Sequence, residues 1–145
     1  MGMYTELIFK ASIRVKINSI EQAVIQCLFN GHDVPVTLPD HPFFKSPRWD
    51  MVTTCSSFYH HPTAYNNLVD TQWNLNGYTE YYVFSRADLK NYDDEIELFR
   101  NWIDPYVGEE KGKCIGWMWY EEWNEPMLIY KMTDYVESPE GFSND

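Results

Sequence analysis

Between Leu7 and Ile17 every odd position is apolar (Leu7, Phe9, Ala11, Ile13, Val15, Ile17), while Lys10, Ser12, Arg14 and Lys16 hold even ones. This period of two predicts a β-strand with one face on a core and the other in water. Asn18 and Ser19 then offer capping side chains, and Ser19 with Gln22 matches a capping box. Ile20, Ala23, Val24, Cys27 and Leu28 follow at helical spacing, and Gly31 supplies a stop, so a first helix is expected. Pro35, Pro39, Pro42 and Pro47 make the next stretch an irregular crossing, which Phe43 and Phe44 would pin to the core. Residues 49–59 read as a further strand ending at His60-His61-Pro62, and residues 63–71 as a loop. Strand-forming residues on both sides of Asn76-Gly77, from Gln72 to Arg86, predict a hairpin closed by a type I′ turn.

Farther along, Asn91 is placed to cap a second helix whose first turn holds Asp93, Asp94 and Glu95, where the helix dipole favours acids. Its core stripe would be Tyr92, Ile96, Phe99, Ile103 and Tyr106, widened by Trp102, with Gly108 beyond its end. Residues 114–120 and 127–132 predict a terminal hairpin turning at 122–125. The order β-α-β-β-α-β-β implies an α+β fold, two helices packed on one side of an antiparallel sheet, in a ferredoxin-like or related two-layer sandwich. One domain over residues 1–135 with a loose polar tail over 136–145 accounts for the whole chain.

Charge changes this picture most. Residues 1–90 carry seven Lys/Arg and eight Asp/Glu; residues 91–145 carry four and fourteen, so nearly all of the net −11 lies in the last third. Such a field repels phosphates and lipid headgroups, so neither nucleic acid nor membrane is an expected partner, whereas a basic protein surface is. No window of 18 apolar residues exists, and Glu6 and Lys10 interrupt any apolar leader. Three widely spaced cysteines, Cys27, Cys55 and Cys114, fit reduced thiols used as small core residues.

Catalytic chemistry finds little support. The chain holds no phosphate-cradling glycine loop, H-E-x-x-H, C-x-x-C or G-x-S-x-G, and no cofactor is implied. Adjacent His60 and His61 would point to opposite faces of a strand, so with His32 or His41 they make no expected metal site. Cys55 and His61, six residues apart, would stand about 20 Å from each other along a strand, too far for proton transfer.

A more structured feature is an acidic edge on the second helix. Asp94, Glu97, Asn101 and Asp104 recur opposite its core stripe over about 15 Å. Glu121, Glu122 and Glu125 cluster at the last hairpin's turn beside Trp123. Large aromatics supply anchoring area and acids steer a basic partner, so these eight residues form the expected partner-binding surface. The alternative is an enzyme or a small-ligand or nucleotide-binding protein. Its site would lie between the proline-rich loop and the sheet, lined by His41, Trp49 and Tyr59.

Several stretches resemble small proteins encoded by bacteriophages and prophages: the opening Met3-Tyr4-Thr5-Glu6-Leu7-Ile8-Phe9, Leu38-Pro39 with Phe43-Phe44 and Arg48-Trp49, and Lys90-Asn91-Tyr92-Asp93-Asp94-Glu95-Ile96-Glu97. Trp102-Ile103-Asp104-Pro105-Tyr106, Tyr120-Glu121-Glu122, Glu125-Pro126 and Leu128-Ile129-Tyr130 extend the likeness over most of the chain. None of these motifs is a catalytic signature, so the resemblance implies no site residues. It implies a phage or mobile-element origin and a bacterial cytoplasm. The expectation is therefore a phage-encoded acidic binding protein that inhibits or modulates a host factor with a basic surface, such as a nucleic-acid-handling defence enzyme. A homodimer joined through an edge strand is a further expectation.

Overall fold

Alternation along Thr5–Lys16 becomes the central strand, β1, of a five-stranded sheet in a computed structural model that describes residues 3–134. Leu7, Phe9, Ala11, Ile13 and Val15 are all buried on one face. Helix α1 (Ile20–Asn30) follows; Ser19 Oγ accepts the Gln22 amide at 3.0 Å, and Gln22 Oε1 accepts the Asn18 amide at 2.6 Å. The reciprocal half of the capping box thus falls one residue early. Gly31 closes the helix at φ +72°. Its buried stripe is Val24, Ile25, Leu28 and Phe29, rotated from the expected one, and Ile20 and Ala23 are exposed.

The structure departs from two sequence expectations. Residues 49–59 form no strand: Met51–Thr54 is a single helical turn, α2, after the short 3-10 turn Pro42–Lys45. Ser46, Trp49 and Val52 are buried at a spacing of three, a helical period that the apolar content of the stretch conceals. Residues 63–71, expected as a loop, hold most of strand β2 (Tyr65–Leu75). As an edge strand β2 buries neither face fully and so carries Asn66, Asn67 and Asp70, which read as loop. Asn66 is tied inward instead, donating to Thr53 O at 2.8 Å and accepting from Ser85 Oγ at 2.6 Å.

Strand β3 (Tyr78–Leu89) returns through Asn76-Gly77, both at positive φ as a type I′ turn requires. Helix α3 (Glu95–Ile103), a 3-10 turn at Asp104–Tyr106, β4 (Cys114–Tyr120) and β5 (Met127–Tyr130) complete the order. Asn91 lies three residues before the α3 cap, yet its Oδ1 accepts the Ile96 amide at 2.9 Å and does the capping work from outside. Every neighbouring pair in the spatial order β2-β3-β1-β4-β5 is antiparallel. Thus β1 and β2 run parallel with β3 between them, as do β3 and β4 with β1 between them. Two such split βαβ units make the ferredoxin-like arrangement, with β5 added beyond β4.

Packing explains why the helices share one side. Phe9 of β1 meets Phe99 of α3 edge-on at 5.3 Å and stacks near Phe29 of α1 at 6.0 Å. Phe43 and Phe44, from the proline-rich crossing, fill the gap beside Trp49 and Trp102. Arg48 straps that crossing to α3, reaching the fully buried Glu95 carboxylate at 2.7 Å. Among the described residues no helix is long and apolar enough to cross a membrane. The expected tail over 136–145 lies outside the described residues.

Candidate functional site: an acid-rimmed groove and the open face of the sheet

On the helix side, where α3 begins beside the end of β4, a groove of about 770 Å³ opens. Met3, Thr5, Met118 and Met127 border it with Asn91, Tyr92 and Glu97 from the α3 region and Tyr120 and Trp123 from the β4–β5 turn. The turn is held by a short ladder: Tyr4 N donates to Glu121 Oε1 at 2.8 Å, and Glu121 N to Tyr4 O at 3.1 Å. Trp123 N donates to Tyr120 O at 2.9 Å, and the two rings meet at 6.0 Å. Desolvation, then the carboxylates of Glu122 and Glu121 and the Tyr92 phenol, push the Tyr120 phenol above its ordinary range. Its hydroxyl lies 2.9 Å from Met3 Sδ.

Of the expected partner-binding residues the structure places two on this groove and removes one from the surface. Glu97 and Trp123 line it, Glu121 and Glu122 act on Tyr120 within it, and Asp94, Asn101 and Glu125 are exposed. Among the described residues Asp94, Glu97, Glu121, Glu122 and Glu125 form no ion pair, whereas Arg48 lies 3.8 Å from Asp93. Asp104 does not stand on the solvent edge; it is 3% exposed. Its carboxylate accepts the amides of Met132 and Thr133 at 2.8 and 3.1 Å and the Thr133 hydroxyl at 2.7 Å, with the buried Lys131 ammonium at 3.5 Å. The helix tightens into a 3-10 turn there, which swings Asp104 inward to anchor the end of β5. Tyr92, expected in the core stripe, is exposed and forms a groove wall instead.

Opposite the helices no described helix lies on the sheet's other face; the stretch from Ser57 to Thr63 covers only its Arg86 corner. Ile8 is flanked across β1 by Arg86 and Trp117, and Trp117 by Leu128; Tyr82 is flanked by Ser12 and Val69. A second groove, of about 720 Å³, runs along this face between Tyr82, Phe84, Trp117 and Leu128. It exists because the β1–β4 ladder stops at Phe9–Gly116. Gly116 sits at φ +152°, and a Cβ there would lie 1.9 Å from the Ile8 carbonyl oxygen, so only glycine fits the splay. Beyond it the Glu109 carboxylate replaces a strand partner, accepting both Ser12 N and Ser12 Oγ at 3.0 Å. Burial raises the Glu109 pKa, but the Ser12 hydrogen bonds and Lys113 outweigh it and leave the group below its ordinary value.

His41, Trp49 and Tyr59 do not converge on one cleft. His41 Nδ1 accepts the Phe43 amide at 3.1 Å, and burial lowers its pKa. Trp49 packs in the core against Phe43 and Phe44. Tyr59 is exposed, meets the His60 ring edge-on at 5.0 Å and donates to Glu121 O at 2.8 Å, which places it beside the hairpin turn. Cys27 and Cys55 are half-buried, with thiol pKa values raised chiefly by burial, but Cys114 is exposed rather than a core residue. Among the described residues no group of three His, Cys, Asp or Glu is placed to hold a metal ion. Sequence reasoning missed Met3, Met118 and Met127, since nothing local brings the first strand's approach beside the last hairpin. No protein-family model, curated protein or solved structure matches the chain.

Proposed function

We propose that this protein is an acidic binding protein that inhibits or modulates a host factor by seating a basic segment of it in the groove between α3 and the β4–β5 turn. One observation carries the reading: Glu97 and Trp123, far apart in the chain, line the same groove. Exposed Asp94, Glu122 and Glu125 add charge that no cation pairs among the described residues. Methionine side chains adapt to varied apolar partners, Trp and Tyr anchor them, and an unpaired acidic rim accelerates approach of Lys and Arg. An amphipathic basic helix is the segment that matches such a groove.

The resemblance to phage and prophage proteins supports a host protein of the bacterial cytoplasm as the partner. A nucleic-acid-handling defence enzyme is the partner class with the required basic surface, because it must neutralise phosphates. The test is a titration of Trp fluorescence with a panel of synthetic basic amphipathic peptides and their charge-reversed counterparts. Basic peptides should bind with affinity that falls steeply as salt rises, and Trp123→Ala should weaken them at least about tenfold, near 1.4 kcal/mol. The combined Asp94→Lys, Glu97→Lys, Glu122→Lys variant should lose the salt dependence while circular dichroism stays unchanged. Equal binding of basic and acidic peptides would sink the proposal.

A further inference from the structure

The open face of the sheet differs from the rest of the molecule in charge as well as shape. From the Glu6 row to the Arg14 row it holds four cations (Lys10, Arg14, Arg86, Lys113) and four anions (Glu6, Glu80, Asp88, Glu109). The entire net −11 of the chain therefore falls outside it. Within the face three of the cations hold all four anions. Arg86 Nε lies 2.8 Å from Glu6 Oε2 and its Nη2 2.8 Å from Asp88 Oδ1; Arg14 meets Glu80 at 3.0 Å and Lys113 meets Glu109 at 3.4 Å. Between these pairs run Val69, Tyr82, Phe84, Ile8, Trp117 and Leu128, a band crossing all five strands. Tyr82 is 58% exposed, and Val69 and Leu128 46% each, with no described element packed over them.

We infer that this face binds a second copy of the chain, the two sheets stacking about a two-fold axis with the acid-rimmed grooves turned outward. Charge selects that occupant. Two copies repel wherever the acidic residues of the last third face their like, and the self-neutralised face is where they can meet without bringing like charge together. Phosphate-bearing partners gain nothing from a face with no cationic excess. Area is sufficient. Five strands at about 4.8 Å spacing and some 20 Å of strand length present roughly 500 Å² in projection per copy. Two copies thus reach about 1,000 Å², the lower bound for a specific interface, which predicts a reversible dimer. The edges are poorer docking sites: β2 carries a bulge between Asp70 and Asn74 with Gln72 at positive φ, and β5 is four residues long.

Sedimentation velocity of the full chain across a concentration series, from low micromolar to millimolar, tests the inference. A mass of twice 17.3 kDa should emerge as concentration rises. Tyr82→Glu and, on the far side of the band, Leu128→Lys should each weaken dimerisation at least tenfold. Both side chains are largely exposed, so near-native circular dichroism is expected, and either variant suffices if the other misfolds. Basic-peptide binding should survive both, and dimerisation should survive Trp123→Ala, which separates this interface from the groove. A monomer at every concentration overturns the inference. So does a dimer lost with Asn74→Lys on the β2 edge but kept with Tyr82→Glu, and so does single-stranded oligonucleotide binding that Tyr82→Glu abolishes.

Discussion

On the helix side of the molecule Glu97 lines an aromatic and methionine-bordered groove and Asp94, Glu122 and Glu125 stand exposed, all four without ion pairs among the described residues, whereas on the open face Arg86 holds both Glu6 and Asp88. The two surfaces bear similar apolar material, so burial of charge is what separates them. Glu6, Arg86 and Asp88 are buried at 9%, 8% and 0% exposure, and a charge taken out of water must be paired and hydrogen-bonded. Arg86 accordingly donates also to His61 O and Thr63 O, and Glu6 accepts Trp117 Nε1 at 3.1 Å. Acids on the groove rim keep their hydration, need no partner, and project a field. One surface is thereby suited to a charged partner and the other to a neutral one.

The strongest way to break this contrast is to treat two acids of the same predicted edge alike. Asp104→Ala should cost about 3–5 kcal/mol, because it strands the buried Lys131 ammonium and two backbone amides. Asp94→Ala should stay within about 0.5 kcal/mol of the parent. Urea denaturation read by circular dichroism measures both; equal losses would refute the division into buried and rim acids. Next in size, Gly116→Ala forces a Cβ against the Ile8 backbone and should cost roughly 3 kcal/mol, disturbing both surfaces at once since β4 borders each. A neutral result in thermal unfolding would mean that the β1–β4 splay is not held by that glycine.

The smallest effect concerns Glu109, whose folded pKa lies below the ordinary 4.5. A depressed carboxylate stabilises the fold above its unfolded pKa and loses that contribution as pH falls through the folded value. Glu109→Gln should therefore be less stable than the parent at neutral pH, with the gap closing as pH drops below 4.5. A gap that is constant with pH would assign the loss to hydrogen-bond geometry at Ser12 rather than to charge.

Much of the architecture was legible in the residues because the relevant signals are local. Period two along β1, the Ser19 cap, Gly31, Asn76-Gly77 and the acidic first turn of α3 each act within a few positions, and the order of the elements other than α2 and β2 follows from them. The weight of negative charge in the last third is likewise a property of composition alone. Tertiary structure decided what depends on distant neighbours. An edge position made polar Tyr65–Leu75 a strand, packing against Phe43 and Phe44 turned Trp49 and Val52 into a helical face, and the end of β5 drew Asp104 inside. Periodicity reports which side of its own element a residue occupies. Whether that side meets protein or water is set by elements the local chain does not contain, and it separates Asp104 from Asp94 and Met3 from its neighbours in sequence.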